Sequence, residues 1–204
     1  MKHLSIVIVL LAARLAAGQD MPLHEILKPG EDWKAHDGAM PSQAAAAKQL
    51  DLRAVPRQYI KELFGDPFKE PICAVRTLGG STMLVADSAD RYIWAFAIGP
   101  DGVVVAEKGD RYCRLRVRGD DRRKGSTPPE AYRADPSAMT VDAANRTYVA
   151  TNLGIQVFDP TGRICGVFPV PGRVTEMAFD GDRLFARVGD KVFLRTMLAT
   201  GSKD

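Results

Sequence analysis

Residues 71–197 read as an all-β unit, a partial or degenerate β-propeller of about three recognisable blades. An irregular, partly helical N-terminal segment precedes it. Three observations carry this reading. Short runs of β-branched, aromatic and alternating apolar residues follow one another about every 8–12 residues. Turn residues such as Gly99-Pro100-Asp101-Gly102 and Pro160-Thr161-Gly162 separate them. The pattern also repeats: Met139-Thr140-Val141-Asp142 returns 38 residues later as Met177-Ala178-Phe179-Asp180. Tyr148-Val149-Ala150 returns as Leu184-Phe185-Ala186, and Val157-Phe158 as Val192-Phe193. A period of about 36–40 residues with up to four strands per unit is the grammar of propeller blades.

In order, the expected strands are PICAVRT, STMLVAD, RYIWAFAI, VVVAE and YCRLRVR, followed by a charged loop. Then come SAMTVD, RTYVAT, GIQVFD, RICGVFPV, RVTEMAFD, DRLFARV and DKVFLRTM. A lone blade cannot bury both faces and needs neighbours. A closed ring takes about 4–8 blades. Either the N-terminal half adds degenerate strands, or the ring is open, or copies complete it through exposed blade edges, or the chain is truncated.

Residues 19–70 obey no such rule. PLHEILKPGEDWK is a short apolar patch ended by the turn signal Pro29-Gly30. Residues 44–48 (AAAAK) favour a helix, with Pro41 and Ser42 placed for its start. Residues 57–64 (RQYIKELF) fit a strand or a helical turn equally. Residues 198–204 form a tail.

The first 18 residues read as a secretory signal peptide: Lys2 and His3, an apolar run over 4–13, and small residues at Ala16-Ala17-Gly18. An uncleaved anchor, suggested by the late charge at Arg14, is the alternative. The apolar run is too short to span a bilayer as a stable helix. The expected location is periplasmic or extracellular. Cleavage after Gly18 leaves 26 basic and 25 acidic residues, so a net charge of +3 falls to +1. That balance argues against a nucleic-acid partner. Arg114, Arg116 and Arg118 alternate with Leu115 and Val117, which reads as a solvated strand face. Cys73, Cys113 and Cys165 sit inside strand-like runs and read as small core side chains, with one disulfide plus a free thiol as the alternative. No spacing suited to a zinc site or a thiol nucleophile occurs.

Asp87, Asp142 and Asp180 each follow a strand-like run and read as turn caps rather than cation ligands. Trp94 and Phe96 read as core, His24 and His36 as surface residues. Asn145-Arg146-Thr147 matches the N-glycosylation pattern.

The runs RYIWAFAIGPDG, SAMTVDAANRTYVATNLGIQVFDPTGRICGVFPVP and GDKVFLR together resemble the C-terminal blades of the gluconolactonase, senescence-marker-protein (regucalcin) and luciferin-regenerating-enzyme superfamily. PLHEILKPGEDWK resembles the lead-in of its bacterial members. The resemblance implies a six-bladed propeller that opens sugar lactones with a divalent metal such as calcium. A Glu, an Asn and an Asp hold that metal in the family, and oxygen donors of this kind suit calcium. Carried onto this sequence, the Asn position is Ile72 and the Asp position is Ser137. The nearest candidate for the Glu is Asp37, in Asp37-Gly38-Ala39. An alkyl chain cannot ligate a hard cation, and a neutral hydroxyl is a poor ligand and no base near pH 7. The resemblance thus implies a lactonase-like hydrolase whose metal site is largely replaced. Asp135 and Ser137 are the remaining catalytic candidates, and a sugar lactone is the expected small-molecule partner. A non-catalytic, secreted binding module is the alternative.

Overall fold

The computed structural model describes residues 23–42, 71–87, 91–102, 104–117 and 134–202, without the side chains of 71–72, 87 and 104–108. The expected signal peptide, the helix over 44–48, the run 57–64 and the basic loop at 122–124 lie outside the described residues.

Alternating apolar residues and close turns fold the chain into three four-stranded antiparallel sheets. Blade one is β2 (Pro71–Arg76), β3 (Thr82–Asp87), β4 (Tyr92–Ile98) and β5 (Val104–Arg114). Blade two is β6 (Ala138–Val141), β7 (Thr147–Thr151), β8 (Gly154–Phe158) and β9 (Ile164–Phe168). Blade three is β10 (Val174–Asp180), β11 (Arg183–Val188) and β12 (Lys191–Thr196), completed by β1 (Lys34–His36) from the N-terminal segment. The first strands of the blades lie side by side, with β6 between β2 and β10. The result is a partial propeller. The repeated residues occupy matching places: Met139 and Met177 in first strands, Tyr148 and Leu184 in second strands, Val157 and Val192 in third strands.

Strand β1 belongs to the N-terminal stretch expected to be irregular. Lys34, Ala35 and His36 pair with Leu194, Phe193 and Val192. Upstream, a short 3-10 turn over Leu23–Glu25 seats Ile26, which is fully buried. The Leu198 and Ala199 amides donate to the Ile26 carbonyl at 2.9 and 3.3 Å. The Trp33 indole N–H donates to the Pro169 carbonyl at 2.9 Å, and its ring stacks on Phe168. The first of the sequence alternatives, strands added by the N-terminal half, therefore holds for blade three.

Blade two is apolar on both faces. Tyr148, Ala150, Ile155, Val157 and Phe168 pack with Met177, Phe179, Leu184 and Ala186 of blade three. Met139, Val149 and Phe158 pack with Val75, Leu84, Ala86, Ile93 and Cys113 of blade one. Trp94 and Phe96 are buried on the other face of blade one, as core residues. Polar side chains stitch the seams where backbones cannot pair. Gln156 accepts from the Arg116 amide at 2.8 Å and donates to the Arg116 carbonyl at 2.9 Å, as a neighbouring strand would. Asn145, at φ +59, accepts from the Leu78 amide at 2.7 Å.

Two expectations change in detail. VVVAE and YCRLRVR were expected as separate strands. They form one long strand, β5, whose register against β4 shifts twice, so bulges replace the turn. Its Gly109 lies against the Phe96 ring, where a Cβ would collide. The strand ends at Arg114, although Leu115 and Val117 stay buried while Arg114 and Arg116 are exposed.

All three cysteines are free thiols. Cys73, Ala86, Ile93 and Cys113 lie opposite one another across β2, β3, β4 and β5. Three strand spacings put Cys73 and Cys113 about 14 Å apart, twice the reach of about 7 Å that a disulfide allows. Burial pushes the Cys73 thiol up to about 12 and raises that of Cys113 as well. At pH 8 a thiol of that kind is about one ten-thousandth thiolate. A thiol titration should therefore find the buried Cys113 protected in the native chain, the half-buried Cys73 slow to react, and all three cysteines reactive in denaturant; fewer than three in denaturant would reveal a disulfide.

Ile26→Ala should lower the unfolding free energy by about 2–5 kcal/mol, the range for a fully buried aliphatic side chain cut to alanine. Urea unfolding checks this, and a loss well below 1 kcal/mol would separate the N-terminal strap from the cooperative core.

Candidate functional site

Strand alternation sorts the loops onto two rims. The strands β6 and β10 start at one rim, and the chain returns there after β7, β9 and β11. The β6–β7, β8–β9 and β10–β11 turns lie at the opposite rim. Residues 134–137, 151–154 and 169–173 thus share a rim although they are far apart in sequence.

These three segments line a cleft of about 370 Å³. Asp135, Asn152 and Arg173 supply its charged and amide groups, while Leu153, Pro169 and Val170 supply apolar wall. Asp135 is half-buried and holds φ +48, a left-handed conformation rare outside glycine. Asn152 ties it to the hairpin: its backbone N–H donates to the Ala134 carbonyl, and its side-chain amide donates to Asp135 Oδ2 at 3.4 Å. Thr151 braces the same hairpin. Its hydroxyl donates to the Gly154 carbonyl at 2.9 Å and accepts from the Leu153 amide at 3.2 Å. Gly154 sits at φ +117, and a Cβ there would run into the Phe168 carbonyl oxygen. Only glycine lets the hairpin lie this close to the segment leading to β10.

Ser137 stands beside the cleft but faces a structural task. Its hydroxyl donates to the Val174 carbonyl at 2.6 Å, joining the heads of β6 and β10. Ile72 lies near the head of β2, the equivalent place in blade one. Asp37 is exposed and follows β1, the outermost strand of blade three, and is absent from the cleft lining. The structure therefore brings Asp135 and Ser137 to one rim of blade two and leaves Asp37 at the periphery of blade three. Among the described residues, no three His, Cys, Asp or Glu side chains gather as a metal site. At the two positions that the sequence resemblance assigns to metal ligands, Ile72 offers no oxygen and Ser137 a neutral hydroxyl that donates to a carbonyl, a pair unlike the carboxylate and amide oxygens that suit calcium.

The opposite rim uses its acids for turns. Asp142 is fully buried. One oxygen accepts from the Ala144 and Arg146 amides at 2.9 and 3.0 Å. The other accepts from Arg146 Nε and from the Tyr148 hydroxyl. Burial alone would lower the Arg146 pKa, but its hydrogen bond to Asp142 and the negative charge of that carboxylate, with smaller contributions from Tyr148 and Cys165, together outweigh burial and raise the net value. Burial first, and then the Asp142 charge, pushes the Tyr148 hydroxyl up. Asp159 closes the next turn, accepting from the Thr161 and Arg163 amides. Asp180 pairs with Arg183 across an exposed turn. Asp87 ends a second strand, not a first, so it stands at the cleft rim of blade one.

Sequence reading picked Asp135 and missed Asn152 and Arg173. The turn residues in TNLG and PVPGR marked loops there, but only the folded blades show that the loops converge.

Asp142→Ala should cost about 3–5 kcal/mol in thermal or urea unfolding, because it strands a buried guanidinium. A cost near zero would mean that Arg146 finds water or another acid.

A family model described as the SMP-30/gluconolactonase/LRE-like region matches residues 77–186. No curated protein matches the sequence. Among solved structures, a luciferin-regenerating enzyme matches with a TM-score of 0.50 and 14% identity, over 67% of this chain and 48% of that one. A calcium-binding regucalcin of Agrobacterium tumefaciens strain C58 matches with a TM-score of 0.50 and 16% identity, over 67% and 48%. A gluconolactonase of Xanthomonas campestris gives 0.49 and 22%, over 64% and 39%. The chain spans less than half the length of these solved relatives. At such identities the first two share with it the fold.

Proposed function

The chain belongs to the SMP-30/gluconolactonase/LRE-like family, and from that premise we propose a gluconolactonase-like protein that binds a sugar lactone, or the acid derived from it, without the family's metal-dependent hydrolysis. The ligand sits in the cleft between blades two and three. Asp135 and Asn152 take its hydroxyl groups, and the apolar wall from Leu153, Pro169 and Val170 covers one side of the ring. The cleft is large enough for one hexose-sized molecule.

One observation carries the loss of the hydrolytic route. Ser137 stands where the family places its metal-binding aspartate, and its hydroxyl is committed to the Val174 carbonyl. That side chain holds two blades together instead of presenting a charged oxygen to a cation. Ile72 supplies no donor at the second position. Asp135 lies only two residues from Ser137, yet its left-handed backbone and its bond from Asn152 favour a ligand-orienting role. The N-terminal run over 1–18 supports a site of action outside the cytoplasm.

The test is a gluconolactone hydrolysis assay on the full chain, with and without added calcium or zinc, beside calorimetry of sugar binding. The expected result is cooperative unfolding, measurable sugar binding, and no metal-dependent rate above background. Metal-stimulated turnover would overturn the reading and place donors outside Ile72 and Ser137.

A further inference from the structure

The cleft holds a group that a neutral lactone does not require. Arg173 is exposed at its lining, and Asp135 lies on the segment that enters β6. The two sit in different wall segments, one before β6 and one before β10, and form no ion pair with each other. A ligand that fills the space between them meets a cation on one side and a carboxylate with an amide on the other.

We propose that Arg173 makes this cleft selective for the open-chain form of its ligand, a polyhydroxy carboxylate, over the ring-closed neutral form. The inference rests on the sugar-binding reading of the same cleft and deepens it. A lactone ring carries no formal charge, so its oxygens gain only ordinary hydrogen bonds from a guanidinium. The ring-opened acid carries a full carboxylate, which accepts shorter, charge-assisted and bidentate bonds from arginine. Asp135 sharpens the choice by direction. It repels an anion placed against it and accepts from a hydroxyl, so the acid binds with its carboxylate at Arg173 and its hydroxyl groups toward Asp135 and Asn152. Both neutral ring and neutral open polyol lack the group that would use Arg173 fully. The segment that carries Arg173 is fixed rather than loose: Gly172 lies against Val188, and Val174 is held by Ser137. The backbone that carries the guanidinium is therefore already in place, and binding orders only the Arg173 side chain.

Three probes separate the possibilities by calorimetry on the full chain: gluconate, sorbitol as a neutral open polyol, and gluconolactam as a neutral ring that does not open. The expected result is that gluconate binds tightest and that added salt weakens it alone. Arg173→Gln should weaken gluconate about tenfold to a hundredfold, the span of hydrogen bonds to a charged group, and weaken sorbitol and gluconolactam far less. Arg173→Lys should recover part of the loss. The arginine is exposed, so the variants should unfold at the native temperature, which a thermal scan verifies. Equal binding of gluconate and the neutral probes, or an unchanged gluconate affinity in Arg173→Gln, overturns the charge selection while leaving the sugar-binding reading intact. Binding of none of the three overturns both.

Discussion

The middle blade cannot exist alone. Every residue of β7 and β8 is buried, and their side chains alternate between two apolar seams. A free sheet with two apolar faces would expose both to water, so blade two demands a neighbour on each side. Blades one and three answer that demand. The seams are then finished by polar groups aimed at particular backbone atoms, such as Gln156 at Arg116 and Tyr112 at the Asp159 carbonyl. Apolar area provides the drive to stack, and these directional bonds set the stagger of one blade on the next.

The two rims divide the work of the polar residues. At one rim, acids are consumed by their own turns: Asp142 is saturated by two amides, a guanidinium and a phenol. At the other, Asp135 holds a left-handed backbone and space remains between segments. Ser137 marks the boundary between the two uses, since it stands at the cleft rim yet serves the seam.

Much of the architecture is legible in the sequence, because the blade pattern is local. Met139 and Met177 mark first strands, and the apolar alternation of TYVAT and RLFARV marks second strands. Asp142 was readable as a turn residue since Ala143-Ala144-Asn145 follows it and offers amides within reach. Strand β1 was not readable. Lys34-Ala35-His36 has no apolar face, and it becomes a strand only because β12 presents an unpaired edge. The split expected between VVVAE and YCRLRVR failed for a related reason: β4 offers a continuous edge, and bulges absorb the intervening residues. The cleft was half legible. Asp135 follows from its nearness to Ser137, whereas Arg173 and Asn152 reach it only through blade stacking.

The pairing of β1 with β12 also sets an order of events on the ribosome. Lys34 is made first, and its partner Leu194 is made about 160 residues later. At about 5–20 residues per second, the early strand waits roughly 8–30 s for its edge. For most of that interval the blade-three residues that pack with Ile26 and Trp33 have not been made. Blades one and two can stack as they emerge, but the last sheet is completed only when both ends of the described chain are available. A chaperone that shields the N-terminal segment would therefore act on the yield of this protein rather than on its final stability.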